Sequence, residues 1–198
     1  MAYRDGAVSS SGILPPERRA ADPSRQGGRR VTVASVSMHV RRATLADAAA
    51  LCDIYNREVQ ESTVTLDLVP RTVDQQRRYL ADRSGGLAVL VADDEGEVVG
   101  FGSLSFYRDR PGYRTSVEDS IYVHRRHQGR GVGNRLLGQL LEVAGNHGFH
   151  AVFARIVGPQ EASVGLHRRH GFELVGVERE VARKFGRWHD VALMQRLL

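Results

Sequence analysis

Three glycines at alternate positions, Gly129, Gly131 and Gly133, separate two runs of different periodicity. Before them, residues 117–123 are rich in β-branched and aromatic side chains and read as a strand. After them, Leu136, Leu137, Leu140, Leu141 and Val143 recur at helical spacing and predict a helix over 132–147. A strand that hands over to a helix through a short glycine loop limits the chain to an α/β architecture. The loop also has a chemical bias. Glycine admits positive φ and close approach of the backbone, so successive amides can converge on one anion. The positive end of the following helix points at the same place. A cradle for a diphosphate is one reading, and a tight turn without a ligand is the other.

The remaining pattern becomes regular at Met38. Residues 39–42 read as a short strand. Thr44 opens a helix with Asp47 at its third position and Leu51, Ile54 and Tyr55 on one face. Thr72 and Gln75 form a second capping box, opening a helix that runs to Ala81. Strands are expected over 87–92, 98–106 and 151–156, with a hairpin turn at 93–96. A short helix over 163–170 is closed by Gly171, and two last strands cover 172–180 and 188–197. The result is a mixed α/β sheet in a single domain, 38–198. Residues 1–37 are rich in Ser, Gly, Pro and Arg, lack a hydrophobic period, and are expected to be a disordered extension.

Charge separates these two parts. Residues 1–37 carry six arginines against three acids, a net +3, which leaves +2 for the other 161 residues. No clustered basic footprint marks the domain, so no nucleic-acid partner is expected. No apolar run reaches transmembrane length, so no membrane partner is expected either. Cys52 is the single cysteine, which precludes an intramolecular disulfide and points to a reducing compartment, the cytoplasm. Its helical, apolar neighbours predict a buried residue, not a nucleophile.

Two common phosphate loops do not fit. A Walker loop needs Gly-Lys-Ser/Thr, and Gly133 is followed by Asn134-Arg135. A dinucleotide fingerprint needs a third glycine where this chain has Leu136. A third pattern fits. Gln128-Gly129-Arg130-Gly131-Val132-Gly133 resembles the pyrophosphate loop of the GCN5-related N-acetyltransferase (GNAT) superfamily. Within it, the chain is similar to the phosphinothricin and methionine sulfone/sulfoximine N-acetyltransferases. That likeness rests on Asp53-Ile54-Tyr55-Asn56, Ser62-Thr63-Val64, the strand at 117–123, Gly165-Leu166-His167 with Gly171-Phe172, and above all Lys184-Phe185-Gly186-Arg187-Trp188-His189-Asp190-Val191.

The resemblance implies a mostly antiparallel central sheet flanked by helices, and acetyl-CoA as cosubstrate without a metal. It implies that the loop 128–133 holds the diphosphate and that Ile121, Tyr122 and Val123 meet the cosubstrate, Val123 through its backbone amide. Gln160 stands where the family has Asn, and Ser163 follows it as a further cofactor contact. Glu118 takes the part of the base, either directly or through a water, and a solvated edge-strand glutamate is the plain alternative. His167 stands where many members have a tyrosine that protonates the leaving thiolate. It is otherwise a helix-surface histidine. Asp119 is expected on the opposite strand face from Glu118 and away from the site. His167 and His170 share a helix face but lack a third ligand, so no metal is expected. The acceptor is a small-molecule amine, with Arg108, Gly112 and Tyr113 as its binding loop and Arg108 as the carboxylate partner. A homodimer is implied near the last hairpin, and Trp188 is expected in the core. Other amine acceptors (a protein N-terminus, a polyamine, an aminoglycoside) and a non-catalytic acyl-CoA-binding module remain open.

Overall fold

A computed structural model describes residues 38–158 and 160–198. The expected disordered extension at 1–37 lies outside them. The elements are β1 (His39–Arg42), α1 (Ala48–Glu61), α2 (Val73–Ala81), β2 (Leu90–Asp94), β3 (Glu97–Phe106), β4 (Ser116–Val123), α3 (Val132–Asn146), β5 (Ala151–Val157), α4 (Glu161–Arg169), β6 (Glu173–Lys184) and β7 (Arg187–Leu197). They form one seven-stranded sheet in the order β1-β2-β3-β4-β5-β7-β6. Every neighbouring pair is antiparallel except β4 and β5.

That exception positions the site. The parallel ladder pairs Ser116 with Ala151, Val117 with Val152 and Glu118 with Phe153, and then stops. β4 runs on to Val123 without β5, while β5 stays paired with β7 as far as Val157. The two strands part at Glu118 and leave a gap in the middle of the sheet.

Helices cover both faces. The α3 side buries Leu136, Leu137 and Leu140 against Val99, Leu104, Val117 and Val152. Truncating one of these leucines to alanine would cost about 2–5 kcal/mol. Gly100 and Gly102 let α3 lie close to β3, because a Cβ on Gly102 would stand 2.9 Å from Leu140 Cδ1. The other face packs Leu51, Ile54, Tyr55 and Leu80 of α1 and α2 against Val91 and Phe101. Cys52 is buried on α1 and burial pushes its thiol pKa up, which suits a packing residue.

Several boundaries differ from the expected ones. The strand expected at 87 starts at Leu90, because Gly85 (φ +55°) opens a 3₁₀ turn and Gly86 sits against Phe149. Asp93 and Asp94 belong to β2, and the chain reverses at Glu95 and Gly96, both with positive φ. Asp93 Oδ1 accepts the Gly96 amide at 2.7 Å and fixes that turn. β6 does not end at Glu180. It continues to Lys184 through a bulge where Glu180 donates its amide to Asp190 Oδ1 at 2.8 Å. Trp188, expected in the core, is 58% exposed on the edge hairpin.

Candidate active site

A cavity of about 1030 Å³ runs from the glycine loop through the gap between β4 and β5 to the α1/α2 face. This is room for a cosubstrate arm and a small acceptor together.

At the glycine end, His124 donates its amide to Val99 O at 2.9 Å. Amides alternate sides along an antiparallel strand, so the Val123 amide points the other way, into the gap. Gln128 Nε2 bonds Val123 O at 3.3 Å and folds the loop back on the strand end. Gly129 and Gly131 have φ of +74° and +82°, with nothing within 4 Å of a built Cβ, so conformation and not crowding requires glycine. Gly131 caps α3 without a side-chain bond, and Gly131, Val132, Gly133 and Asn134 line the cavity. The first-turn amides of α3 therefore lack intrahelical acceptors where the cavity opens. This is a fit for a diphosphate, whose charge the amides and the helix end would both favour.

In the middle, the two faces of β4 carry different chemistry. Glu118, Ser120 and Tyr122 lie toward α1 and α2, where Tyr122 stacks on Phe101 with centroids 5.1 Å apart. The Glu118 carboxylate has no hydrogen-bond partner among the described residues. Burial raises its carboxyl pKa, the Arg155 guanidinium opposes the rise, and Asp119 and Glu178 add to it. On the opposite face, His167 of α4 is 4% exposed. Its Nδ1 lies 2.8 Å from Ser163 O and its Nε2 lies 3.2 Å from Asp119 Oδ2. A carbonyl only accepts, so Nδ1 carries a proton, and Nε2 faces a carboxylate. Burial works against the imidazolium, but Asp119 and the Ser163 carbonyl outweigh it and the His167 pKa rises. Asp119 Oδ1 has no partner among the described residues.

Beyond Glu118 the acceptor end is made of side chains. Ser103 and Ser105 of β3 pair across with Ser120 and Glu118. Tyr79 of α2 donates to Ser103 Oγ at 3.0 Å, and Arg83 Nη1 donates to Ser105 Oγ at 3.1 Å. Arg71 lies over the Tyr55 ring, 4.0 Å from its centroid. Lys184 Nζ, buried on the last hairpin, donates to Thr65 O at 2.7 Å and ties that hairpin to the cavity wall.

A model of the acetyltransferase (GNAT) family matches residues 49–172. The chain belongs to the GNAT family. It is 39% identical over 168 residues to the phosphinothricin N-acetyltransferase of Streptomyces coelicolor, covering 83% of this chain and 98% of that one. It is 39% identical over 161 residues to the L-methionine sulfoximine/L-methionine sulfone acetyltransferase of Salmonella typhimurium, covering 80% and 93%. A solved phosphinothricin acetyltransferase of Sinorhizobium meliloti, in complex with AcCoA, superposes with a TM-score of 0.78 at 36% identity, over 81% of this chain and 88% of that one. The ribosomal-protein-alanine N-acetyltransferase of Brucella melitensis gives a TM-score of 0.79 at 38% identity, over 81% and 99%.

In this GNAT chain the cavity brings together Glu118, His167, Ile121, Tyr122, Val123, Gln128, Gly129, Gly131, Val132, Gly133, Gln160 and Ser163. It does not reach Arg130, Arg108, Gly112 or Tyr113. Arg108 is exposed, and its guanidinium leans on its neighbour Tyr107, 5.0 Å from the ring centroid. Asp119 was expected away from the site. Alternation does put it on the far face from Glu118, yet the cavity crosses the sheet through the gap and takes in both. His167 is no surface residue, because α4 turns it inward onto Asp119. Among the described residues no group of three His, Cys, Asp or Glu could hold a metal ion. Arg155, Ser103, Ser105 and Tyr79 were missed. The register of β3 on β4 brings Ser103 and Ser105 level with Ser120 and Glu118, Tyr79 reaches Ser103 from α2, and Arg155 enters where β5 leaves β4.

Proposed function

We propose that this GNAT chain transfers the acetyl group of acetyl-CoA to the amino group of a small amino acid analogue of the phosphinothricin, methionine sulfoximine or methionine sulfone type. One observation carries the reading: a single cavity joins the glycine loop to the Glu118 carboxylate through the gap in the sheet. The cosubstrate supplies an activated acetyl thioester. The glycine-loop amides hold its diphosphate, and Gln160 and Ser163 flank its arm. The Val123 amide polarises the thioester carbonyl, a contribution worth roughly 3 kcal/mol for comparable donors. Glu118 removes the ammonium proton, through a water or directly. As the N–C bond forms and the C–S bond breaks, His167 returns a proton to the sulfur.

We also propose that residues 38–198 form the acetyltransferase domain and that the enzyme is a cytoplasmic homodimer. A lone cysteine supports the compartment. Val175, Val177, Val181, Phe185 and Trp188, exposed on the edge hairpin, support the dimer.

Thiol release from acetyl-CoA tests the function, with phosphinothricin, methionine sulfoximine and methionine sulfone offered separately beside an alanine-ended peptide and a polyamine. Saturable turnover with at least one of the three amino acid analogues is expected. Turnover confined to the peptide or the polyamine would contradict the acceptor class.

A further inference from the structure

Arg155 sits in the part of β5 that has lost β4 as a partner. Phe153 is level with Glu118, and side chains two apart on a strand share a face, so Arg155 points to the acceptor side of the sheet. It lines the cavity, and its charge is felt by Glu118. Its Nη2 bonds Glu178 Oε2 of β6 at 2.6 Å. Its Nε and Nη1 bond no described residue.

Arg71 and Arg83, which also line the cavity, are each held through one nitrogen, and neither is among the charges that act on Glu118. Arg71 Nη2 donates to Tyr55 Oη at 3.1 Å and to Asp67 Oδ2 at 3.2 Å. Arg83 Nη1 donates to Leu104 O at 2.6 Å and to Ser105 Oγ. Arg108 lies outside the cavity. Arg155 is the guanidinium whose charge acts on the Glu118 carboxyl, and two of its nitrogens have no partner among the described residues. An α-amino acid carries its carboxylate on the same carbon as its amine. With the amine brought to Glu118, the carboxylate falls beside that carboxyl group, where an unopposed anion would be repelled.

We propose that Arg155 binds the acceptor's carboxylate, and that Glu178 is the counter-ion that aims the guanidinium and competes for it. Arg155 then selects acceptors that carry an acid next to the amine. A guanidinium offers two parallel donors, which suits a carboxylate better than a neutral amide. This assignment rests on the acetyl-transfer reading above.

The test compares methionine sulfone with its α-carboxamide in the wild type, Arg155→Gln and Glu178→Gln, with thermal unfolding as the check on folding. In the wild type, KM is expected to be lower for the acid than for the amide. Arg155→Gln should raise KM for the acid about 10- to 100-fold, from the loss of a charge-assisted bond. It should leave KM for the amide and for acetyl-CoA within about threefold and abolish the preference. Glu178→Gln should act oppositely and lower KM for the acid, because it frees the guanidinium. Retained preference in Arg155→Gln would overturn the assignment. So would a Glu178→Gln variant that weakens the acid as much as Arg155→Gln does, since the pair would then be a structural strut. Equal turnover of acid and amide by the wild type overturns this inference alone. Failure to acetylate any amine overturns the acetyl-transfer reading and this inference with it.

Discussion

At the glycine end of the cavity the groups offered to the proposed diphosphate are backbone amides, fixed by φ at Gly129 and Gly131 and by the first turn of α3. At the Glu118 end they are side chains, delivered by α2, β3, β4 and β5 from positions far apart in sequence. The first kind of site depends on conformation and hardly on side-chain identity. The second depends on pairs such as Arg155 with Glu178 and Tyr79 with Ser103, and on carboxylates whose charge is set by burial and neighbours. Changes at one end should therefore leave the constants of the other end alone.

The largest effect is expected at the side-chain end. Glu118→Gln should lower kcat/KM for the acceptor by about 10²–10⁴-fold while acetyl-CoA affinity, read by calorimetry, stays unchanged. At the backbone end, Gly131→Ala introduces a Cβ at φ +82° with no steric neighbour, so only backbone strain is added. That strain is worth roughly 1–2 kcal/mol. If the loop relaxes to escape it, acetyl-CoA binding should weaken about 5- to 30-fold with the acceptor KM unmoved. Equal shifts in both constants would break the separation.

Asp119→Asn sharpens the contrast within β4. Asp119 raises the His167 pKa, so a protonated His167 persists to higher pH than an ordinary histidine. The activity that needs it is lost as pH rises through the raised value. Without Asp119 the alkaline limb of the rate profile should move to lower pH. An unmoved limb would remove His167 from the chemistry. The smallest effect belongs to Thr72→Ala. Thr72 Oγ1 accepts the Gln75 amide at 3.2 Å, and Gln75 Oε1 accepts the Thr72 amide at 2.8 Å, at the start of the helix that carries Tyr79. Losing this cap should cost about 1 kcal/mol, seen as a lower unfolding midpoint, with acetyl-CoA affinity intact.

The same division governs what the sequence made legible. Glycine spacing between a strand and a helix is local, so the loop, α3 and the end of β4 could be read directly. The capping pair Thr72 and Gln75 was readable for the same reason. Arg155 was not, because it is an ordinary strand residue until β4 and β5 separate beside it. Asp119 was misplaced because alternation along one strand carries no information about a hole in the sheet. Arg108 is suggested by residue type and by the resemblance of its loop, and in the fold it is exposed, against Tyr107 and Tyr113. Long-range pairing, more than local preference, decides which charged side chain becomes part of the site.

The most direct test of the role of Glu118 is the pH dependence of kcat/KM for methionine sulfone in the wild type and in Glu118→Gln. Burial raises the Glu118 pKa above the usual carboxylate range near about 4.3, and the base works only when deprotonated. Wild-type activity should therefore fall, as pH drops, along an acid limb that begins above that range, and the limb should vanish from the residual activity of Glu118→Gln. An identical acid limb in both proteins would contradict the assignment of Glu118 as the base.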